Sequence, residues 1–180
     1  MRRGAARLRA PYAPDYRNPL IDDSKKLTAK KRDALFEEIK ANALGYGIAM
    51  MSAEEIDRYN IYRATQMCME KALSQIACDF ELVLTDAIPL PHYPKNVVPI
   101  IKGDAKCLNI AAASVLAKVT RDRYMDELEK QYPNFKFSLH KGYGTKKHME
   151  ELEQFGVIEG VHRKTFGPVA RTLQKQLTLF

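Results

Sequence analysis

The spacing of apolar residues predicts several helices. Thr28 can cap a helix that runs to about residue 43 and ends before Gly45, because its apolar residues share one face: Leu35, Phe36, Ile39 and Ala43. Residues 52–55, with the sequence SAEE, have the capping-box pattern that begins a helix. We therefore expect a short helix there, followed by a longer one over residues 61–76.

Short apolar runs predict three strands between the helices. Runs rich in Leu, Val and Ile place these strands over residues 46–51, 81–85 and 97–101. Further helices are predicted over residues 108–131 and 146–155, with a glycine-rich loop between them and a less regular tail after them. Helices that alternate with strands indicate an α/β domain.

The composition is that of an ordinary globular domain with a basic surface. Of the 180 residues, 46% are hydrophobic and 28% are charged, and this length suits one domain with a substantial core. The formal net charge of +7 favours an anionic partner, because phosphates attract lysines and release counterions when they are neutralised. Nucleic acid is one such partner.

No segment predicts insertion into a membrane. The arginines before residue 10 are not followed by a long apolar run, so neither a signal sequence nor a membrane span is expected. Cys68, Cys78 and Cys107 lack both the spacing of a zinc site and the density of a disulfide scaffold. We therefore expect reduced thiols in a cytoplasmic protein that has no membrane partner.

Four ordered segments resemble the ribonuclease HII family, the type 2 ribonucleases H. These segments are LIDDSKKL (20–27), LVLTD (82–86), IKGDAK (101–106) and HKGYGT (140–145). The resemblance implies an α/β fold with a ribonuclease H-like mixed sheet flanked by helices and a C-terminal helical region. It divides the chain into an atypical arginine-rich N-terminus (1–13), a type 2 ribonuclease H domain (14–168) and a C-terminal tail (169–180).

The family activity that the resemblance implies is endonucleolytic hydrolysis of RNA in RNA–DNA hybrids. Single ribonucleotides embedded in DNA are included among the implied substrates, which connects the family with DNA replication and repair. The family begins with a strand that carries an adjacent Asp-Glu pair and a Gly-Arg-Gly turn, and residues 1–13 contain neither. We therefore expect the first strand or strands, with two of four metal-binding carboxylates, to be missing. Asp15, Asp22 and Asp23 align with other family positions and are not expected to substitute.

Asp86 and Asp104 are the candidate catalytic and metal-binding residues. Asp86 directly follows an apolar strand, and ligand sites in open α/β sheets favour such strand ends. The residues alone favour a turn aspartate for Asp86 and leave a helix cap as the alternative for Asp104. The resemblance matches both to metal carboxylates of the family. It implies a pair of Mn²⁺ or Mg²⁺ ions, which oxygen ligands suit.

Asp122 is a rival carboxylate on the predicted long helix. At helical spacing it falls on the apolar stripe of that helix, so it requires a partner from another segment. We assign it a structural ion-pair or hydrogen-bond role, with substrate contact as the alternative.

Several residues are candidates for contact with nucleic acid. The resemblance matches Tyr143 to a tyrosine that packs against the sugar beside the ribonucleotide, and Lys25 to a basic residue near a DNA phosphate. Lys102 and Lys106 flank Asp104, and Lys141 lies in the glycine-rich loop, which can hold a sugar-phosphate backbone. The alternative is a set of solvated loops with a structural tyrosine. His140 and His148 lack ligand-like spacing and are not expected to bind metal.

The last residues resemble the short peptide that bacterial replication proteins dock into the sliding clamp. The candidate contacts are Gln176, Leu177, Leu179 and Phe180. An exposed apolar tail fits a groove, although the same residues could pack on their own domain.

Three hypotheses about the chain remain open at this stage. In the first, the chain is a ribonuclease HII whose true start lies upstream. In the second, it is a truncated homologue that binds hybrid or duplex without cleaving it. In the third, it lacks strands that it needs to fold, because the missing strands would leave unpaired sheet edges. We expect a monomer.

Overall fold

The computed structural model describes residues 18, 21, 24 and 27–177, without the side chains of residues 176 and 177. Of these residues, 51–64 and 120–177 form one compact unit, called unit A here, and the others form a second, called unit B. The helices and strands follow one another in this order: α1 (Ala29–Asn42), α2 (Ala53–Leu73), β1 (Leu82–Asp86), β2 (Asn96–Ile100), α3 (Leu108–Gln131), α4 (Phe137–His140), α5 (Lys146–Phe155) and α6 (Gly167–Leu177).

Helix α1 confirms the prediction made from its apolar face. Thr28 is the N-cap, and its hydroxyl accepts a hydrogen bond from the Lys31 N–H at 3.3 Å. The buried residues of the helix are the predicted ones: Leu35, Phe36 and Ile39. The predicted ranges of α3 and α5 are likewise confirmed.

Helix α2 contains the two predicted helical segments, joined by a kink. The Ser52 hydroxyl accepts from the Glu55 N–H at 3.0 Å and the Glu55 carboxylate accepts from the Ser52 N–H at 2.7 Å, which confirms the capping box. Asn60 has a non-helical backbone, with φ 60° and ψ 165°. Its side-chain oxygen accepts from the N–H groups of Tyr62 and Arg63, so Asn60 acts as the N-cap of the second helical segment.

Strands β1 and β2 lie in unit B and pair in parallel. Their register places Leu82 opposite Asn96 and Asp86 opposite Ile100. Along β1, Val83 and Thr85 are buried and alternate with half-buried residues, as expected for a strand with one face on a core. The strands predicted over residues 81–85 and 97–101 are confirmed within one residue.

The strand predicted over residues 46–51 is wrong. This segment has no strand partner among the described residues, and the Ile48 N–H donates to the side-chain oxygen of Gln75 at 3.0 Å. Gly47 lies so close to α2 that an added Cβ would stand 1.8 Å from the carbonyl oxygen of Ala72. The segment therefore packs against a helix backbone, which an apolar run alone does not reveal.

Two apolar clusters form the cores. In unit B, side chains of α1 and α3 pack into one cluster, which consists of Ile21, Leu35, Phe36, Ile39, Ala111, Ala112, Val115, Leu116 and Val119. In unit A, the cluster consists of Met125, Leu128, Phe135, Phe137, Leu152 and Val169. Each large side chain buried in this way contributes about 1.5–3 kcal/mol.

The sequence did not predict α4 or α6. Helix α6 replaces the irregular tail that was expected, and the tail proposed from residue 169 begins inside it. Pro168 lies in its first turn, where the missing N–H breaks no helical hydrogen bond. Val169 anchors the helix in the core of unit A.

Two expectations about the chain's chemistry can be compared with the structure. Cys68, Cys78 and Cys107 are all free, but only Cys68 is buried, whereas the thiols were expected to be mostly buried. Within the part of the chain that the structure describes, no helix has both the length and the apolar character to cross a membrane.

Candidate active site

Asp86 ends strand β1 in unit B and is half-buried. Its carboxylate accepts a hydrogen bond from the Gly103 N–H, with an Oδ1–N distance of 2.9 Å. The Ala87 N–H donates to the Ile100 carbonyl at 3.1 Å, which continues the pairing of the two strands one step further. The end of β1 is therefore joined to the segment that follows β2.

Asp104 lies in that segment, within a single 3-10 turn over Gly103–Ala105. The residue is 9% exposed, yet its carboxylate makes no hydrogen bond or ion pair with any other described residue. Helix α3 begins four residues later, at Leu108, so Asp104 is not its cap. The Asp104 oxygens are not fully shielded from solvent, so a cation could reach them from the surface.

Gly103 holds the two carboxylates at neighbouring positions. It donates to Asp86 and directly precedes Asp104, and an added Cβ would stand 2.5 Å from Cδ1 of Ile110. No larger residue fits there without displacing that side chain. The close approach of this backbone to α3 therefore depends on glycine.

The backbone on either side of the site is strained. Ala87, directly after Asp86, has φ 61°, and Lys102, directly before Gly103, has φ 55°. Both are in the left-handed region, which costs about 1–2 kcal/mol for a residue with a Cβ. Such strain is concentrated at functional sites, where the surrounding structure maintains it.

The described residues supply two carboxylates for a metal ion. No group of three or more histidine, cysteine, aspartate or glutamate side chains in residues 27–177 could hold one. Two carboxylates suit one Mg²⁺ or Mn²⁺ whose other ligands are water and substrate phosphate. A pair of ions would need further ligands. Asp15, Asp22 and Asp23 lie outside the described residues.

Lys102 and Lys106 are both exposed, on either side of buried Asp104. Their ammonium groups therefore add positive charge beside the two carboxylates. Of the other predicted contacts, Lys25 lies outside the described residues, although its neighbour Ser24 is buried. The hydroxyls of Ser24 and Ser114 are 2.8 Å apart, which ties this segment to α3.

Tyr143 belongs to unit A, where it is 55% exposed. The Arg121 guanidinium stacks over its ring, 4.2 Å from the ring centroid, and donates to the Lys141 carbonyl at 2.7 Å. Tyr143 also lines a cavity of about 250 Å³, together with Arg121, Arg163, His148 and His162. Sequence reasoning missed Arg121 because only the folded chain brings α3 to this loop.

Lys141 is held within unit A. Its ammonium pairs with the Asp126 carboxylate and also donates to the Asp122 carbonyl at 3.4 Å. Part of its charge is therefore already neutralised. Asp122 is half-buried, and its role as a structural hydrogen-bonding residue remains a prediction. The side chains of Gln176, Leu177, Leu179 and Phe180 lie outside the described residues.

Comparison with known proteins identifies the family. The sequence profile of the family described as Ribonuclease HII matches residues 10–169. The chain is 47% identical over 161 residues to Ribonuclease HII of Bacillus thuringiensis (strain Al Hakam), and equally so to that of Bacillus cereus (strain 03BB102). Each alignment covers 89% of this chain and 62% of the relative, so the chain spans about three fifths of their length.

A solved structure supports the predicted fold. The ribonuclease H2 of Pyrococcus horikoshii OT3 superposes with a TM-score of 0.75 at 21% identity, covering 96% of each chain. The α/β, ribonuclease H-like fold class is thereby confirmed. On the match to residues 10–169 and on these relatives, the chain belongs to the ribonuclease HII family.

Proposed function

We propose that this chain acts as an endonuclease on the RNA strand of RNA–DNA hybrids and on ribonucleotides embedded in DNA. The observation that supports this most strongly is Asp104, a buried carboxylate without a partner among the described residues. It stands next to Gly103, whose N–H holds the Asp86 carboxylate. Family membership indicates the class of reaction, and we propose that the reaction takes place at these two carboxylates.

In this proposal, Asp86 and Asp104 are metal ligands and catalytic residues. When bound, a pair of Mn²⁺ or Mg²⁺ ions supplies an activated water and stabilises the leaving oxygen. Asp86 is oriented for this role because the Gly103 N–H fixes one of its oxygens. A second ion requires ligands beyond the described residues, since these provide two carboxylates and no larger group.

The proposed substrate contacts are basic and aromatic groups. Lys102 and Lys106 offer charge to phosphates beside the carboxylates, and Lys25 and Lys141 are proposed as further phosphate contacts. The exposed ring of Tyr143 offers a flat surface for the sugar beside the ribonucleotide. The net charge of +7 is consistent with such a substrate.

Further proposals follow the family rather than the geometry. The type 2 ribonuclease H domain spans residues 14–168, and residues 176–180 of the tail dock into the replication sliding clamp. The protein acts as a monomer in the cytoplasm, in DNA replication and repair. Clamp docking is consistent with a sequence that ends in two leucines and a phenylalanine.

A second function is favoured by one observation, the small number of carboxylates at the site. The described residues place two acidic side chains there, where a pair of ions needs more. A chain whose remaining residues supplied no further ligand would bind hybrid or duplex without cleaving it. Such binding would be salt-sensitive, because it depends on phosphate contacts.

The test uses the full 180-residue chain and a DNA duplex with one ribonucleotide. Cleavage is measured with Mn²⁺ or Mg²⁺, and binding by fluorescence anisotropy without divalent ions. Asp86→Asn and Asp104→Asn remove the proposed ligands, and Glu81→Gln is the matched control, because it removes an exposed carboxylate beside the opposite end of β1. Circular dichroism verifies that each variant folds.

Each outcome separates the two functions. Cleavage that is lost in both aspartate variants and kept in Glu81→Gln supports the nuclease. Binding without cleavage in the unmodified chain supports the binding function. A chain that neither cleaves nor prefers the ribonucleotide-containing duplex to all-DNA duplex contradicts both.

A further inference from the structure

Three histidines form a buried cluster beneath Tyr143, in unit A. His140, His148 and His162 are 4%, 4% and 6% exposed. The rings of His140 and His148 stack with centroids 4.1 Å apart and an interplanar angle of 10°. Together with Glu151, which is 1% exposed, these residues are called the histidine network below. Among the described residues, no group of three or more histidine, cysteine, aspartate or glutamate side chains is arranged to hold a metal ion.

The hydrogen-bond partners determine where two of the rings carry their protons. The Ile158 N–H donates to Nδ1 of His162 at 2.9 Å, so the proton of a neutral His162 is on Nε2. Nδ1 of His148 lies 2.9 Å from the Tyr143 carbonyl oxygen, which can only accept, so His148 carries its proton on Nδ1. The bare Nε2 of His148 then accepts from Nε2 of His162 at 3.2 Å. One chain of donors and acceptors therefore runs from Ile158 to Tyr143.

The third ring holds the adjacent peptide group. The Gly142 N–H donates to Nδ1 of His140 at 3.1 Å, which leaves the His140 proton on Nε2. That Nε2 donates to a Glu151 oxygen 2.9 Å away. The Glu151 carboxylate also accepts from the Lys136 N–H at 3.2 Å. All four members of the network are thus fixed by partners.

The turn that the network holds is strained. Lys141 and Gly142 have φ 48° and 73°, both in the left-handed region. The Tyr143 N–H donates to the His140 carbonyl at 2.8 Å, and the Tyr143 carbonyl accepts from His148. The Tyr143 carbonyl also accepts from the Thr145 N–H at 2.8 Å, so His148 is one of its two donors, while the Tyr143 ring stays exposed under Arg121.

We propose that His148, with its tautomer fixed by His162, is a positioning residue that sets the orientation of Tyr143 toward nucleic acid. The inference rests on the proposed function, in which Tyr143 packs against the sugar beside the ribonucleotide. His148 touches no substrate in this scheme. It acts through the Tyr143 carbonyl, and the selectivity that it supports is for a duplex with a ribonucleotide over all-DNA duplex.

The first test measures selectivity by fluorescence anisotropy with the full chain. The probes are an all-DNA duplex and the same duplex with one ribonucleotide, both without divalent ions. The readout is the Kd for the all-DNA duplex divided by the Kd for the ribonucleotide-containing duplex. This ratio is insensitive to the folded fraction, which changes both values equally. We expect His148→Leu to lower the ratio about fivefold, as the loss of one hydrogen bond would. His148→Asn retains an N–H donor near the Nδ1 position and should restore most of the ratio.

Tyr143→Ala separates a failure of this inference from a failure of the proposed function. If Tyr143→Ala lowers the ratio and His148→Leu leaves it unchanged, the positioning role is overturned while the role of Tyr143 stands. Equal losses in His148→Leu and His148→Asn also overturn it, because the donor to the Tyr143 carbonyl would then be irrelevant. If Tyr143→Ala leaves the ratio unchanged, the contact proposed for Tyr143 is wrong and the positioning role falls with it.

A second measurement does not depend on activity or on a stable His148→Leu variant. Nitrogen-15 NMR of the histidine rings reports the tautomers directly, and we expect an Nδ1–H ring for His148 and Nε2–H rings for His140 and His162. In His162→Asn, the His148 ring loses one of the two partners that fix its tautomer and keeps the Tyr143 carbonyl, so its shifts should move only partly toward those of the Nε2–H tautomer. An Nε2–H ring for His148 in the unmodified chain would overturn the inference.

Discussion

Acidification should destabilise this protein through the buried His162. Burial lowers the pKa of His162 from 6.5 to about 4, and the positive charge that His148 and His140 would carry adds to the effect. Burial also lowers the pKa values of His148 and His140, for which the Tyr143 carbonyl and Glu151 respectively act in the opposite direction. Other charged groups beside the network are Arg121 and Arg163, which line the cavity with His148 and His162, and Lys147, which is 3.9 Å from Glu151.

The direction of the effect follows from the protons bound in each state. Between about pH 7 and pH 4, the unfolded chain protonates His162 and the folded chain does not, so stability is present above pH 6.5 and is lost as the pH falls toward the folded pKa. A difference of one bound proton changes the free energy of unfolding by about 1.4 kcal/mol per pH unit. As the pH falls from about 7 to about 5, the protonation of His162 alone should therefore lower the free energy of unfolding by about 2 kcal/mol. His148 and His140 change it in the same direction.

Urea denaturation followed by circular dichroism at the two pH values measures this loss. His162→Asn removes the titrating ring and retains an acceptor for the Ile158 N–H, so its pH-dependent loss of stability should be smaller by about 2 kcal/mol, whatever its stability at neutral pH. His92→Asn is the matched control, because His92 is exposed and outside the network. Equal pH dependence in His162→Asn and the unmodified chain would refute the reasoning.

Three further predictions concern packing, capping and the tail. Gly47→Ala should destabilise the fold by at least about 2 kcal/mol in urea denaturation, because its Cβ would overlap a backbone carbonyl of α2. Gly167→Ala, whose Cβ would meet only an arginine tip at 3.7 Å, is the control and should be nearly neutral. Ser52→Ala removes the acceptor of the Glu55 N–H and should lower the free energy of unfolding by about 1 kcal/mol in the same assay. An unchanged free energy of unfolding would show that the cap contributes nothing to stability. Deletion of residues 176–180 should abolish pull-down of the sliding clamp without lowering Tm, and retained pull-down would exclude the docking proposal.

The elements that sequence alone predicted are those whose signals are local. Helix α1 has a capping threonine and an apolar face, and α3 has a long run of small and apolar residues without proline. Helix α6 was missed because proline is a sign of helix ends as well as of first turns. The segment over residues 46–51 was misassigned because its backbone lies against α2 at Gly47 and pairs with no strand among the described residues.

The same distinction between local signals and tertiary contacts applies to the candidate site. Asp86 and Asp104 became candidates through the family motifs that surround them, since the residues alone favoured a turn aspartate for Asp86. The burial of Asp104 without a partner among the described residues became evident only in the fold. Lys141 looked like a free cation in the sequence, where nothing indicates that Asp126 on α3 would pair with it. The histidines at positions 140, 148 and 162 share no helical or strand period, so their common role depends on tertiary contacts. Selectivity for ribonucleotides would then depend on residues with no motif of their own, and variants of His148 test that directly.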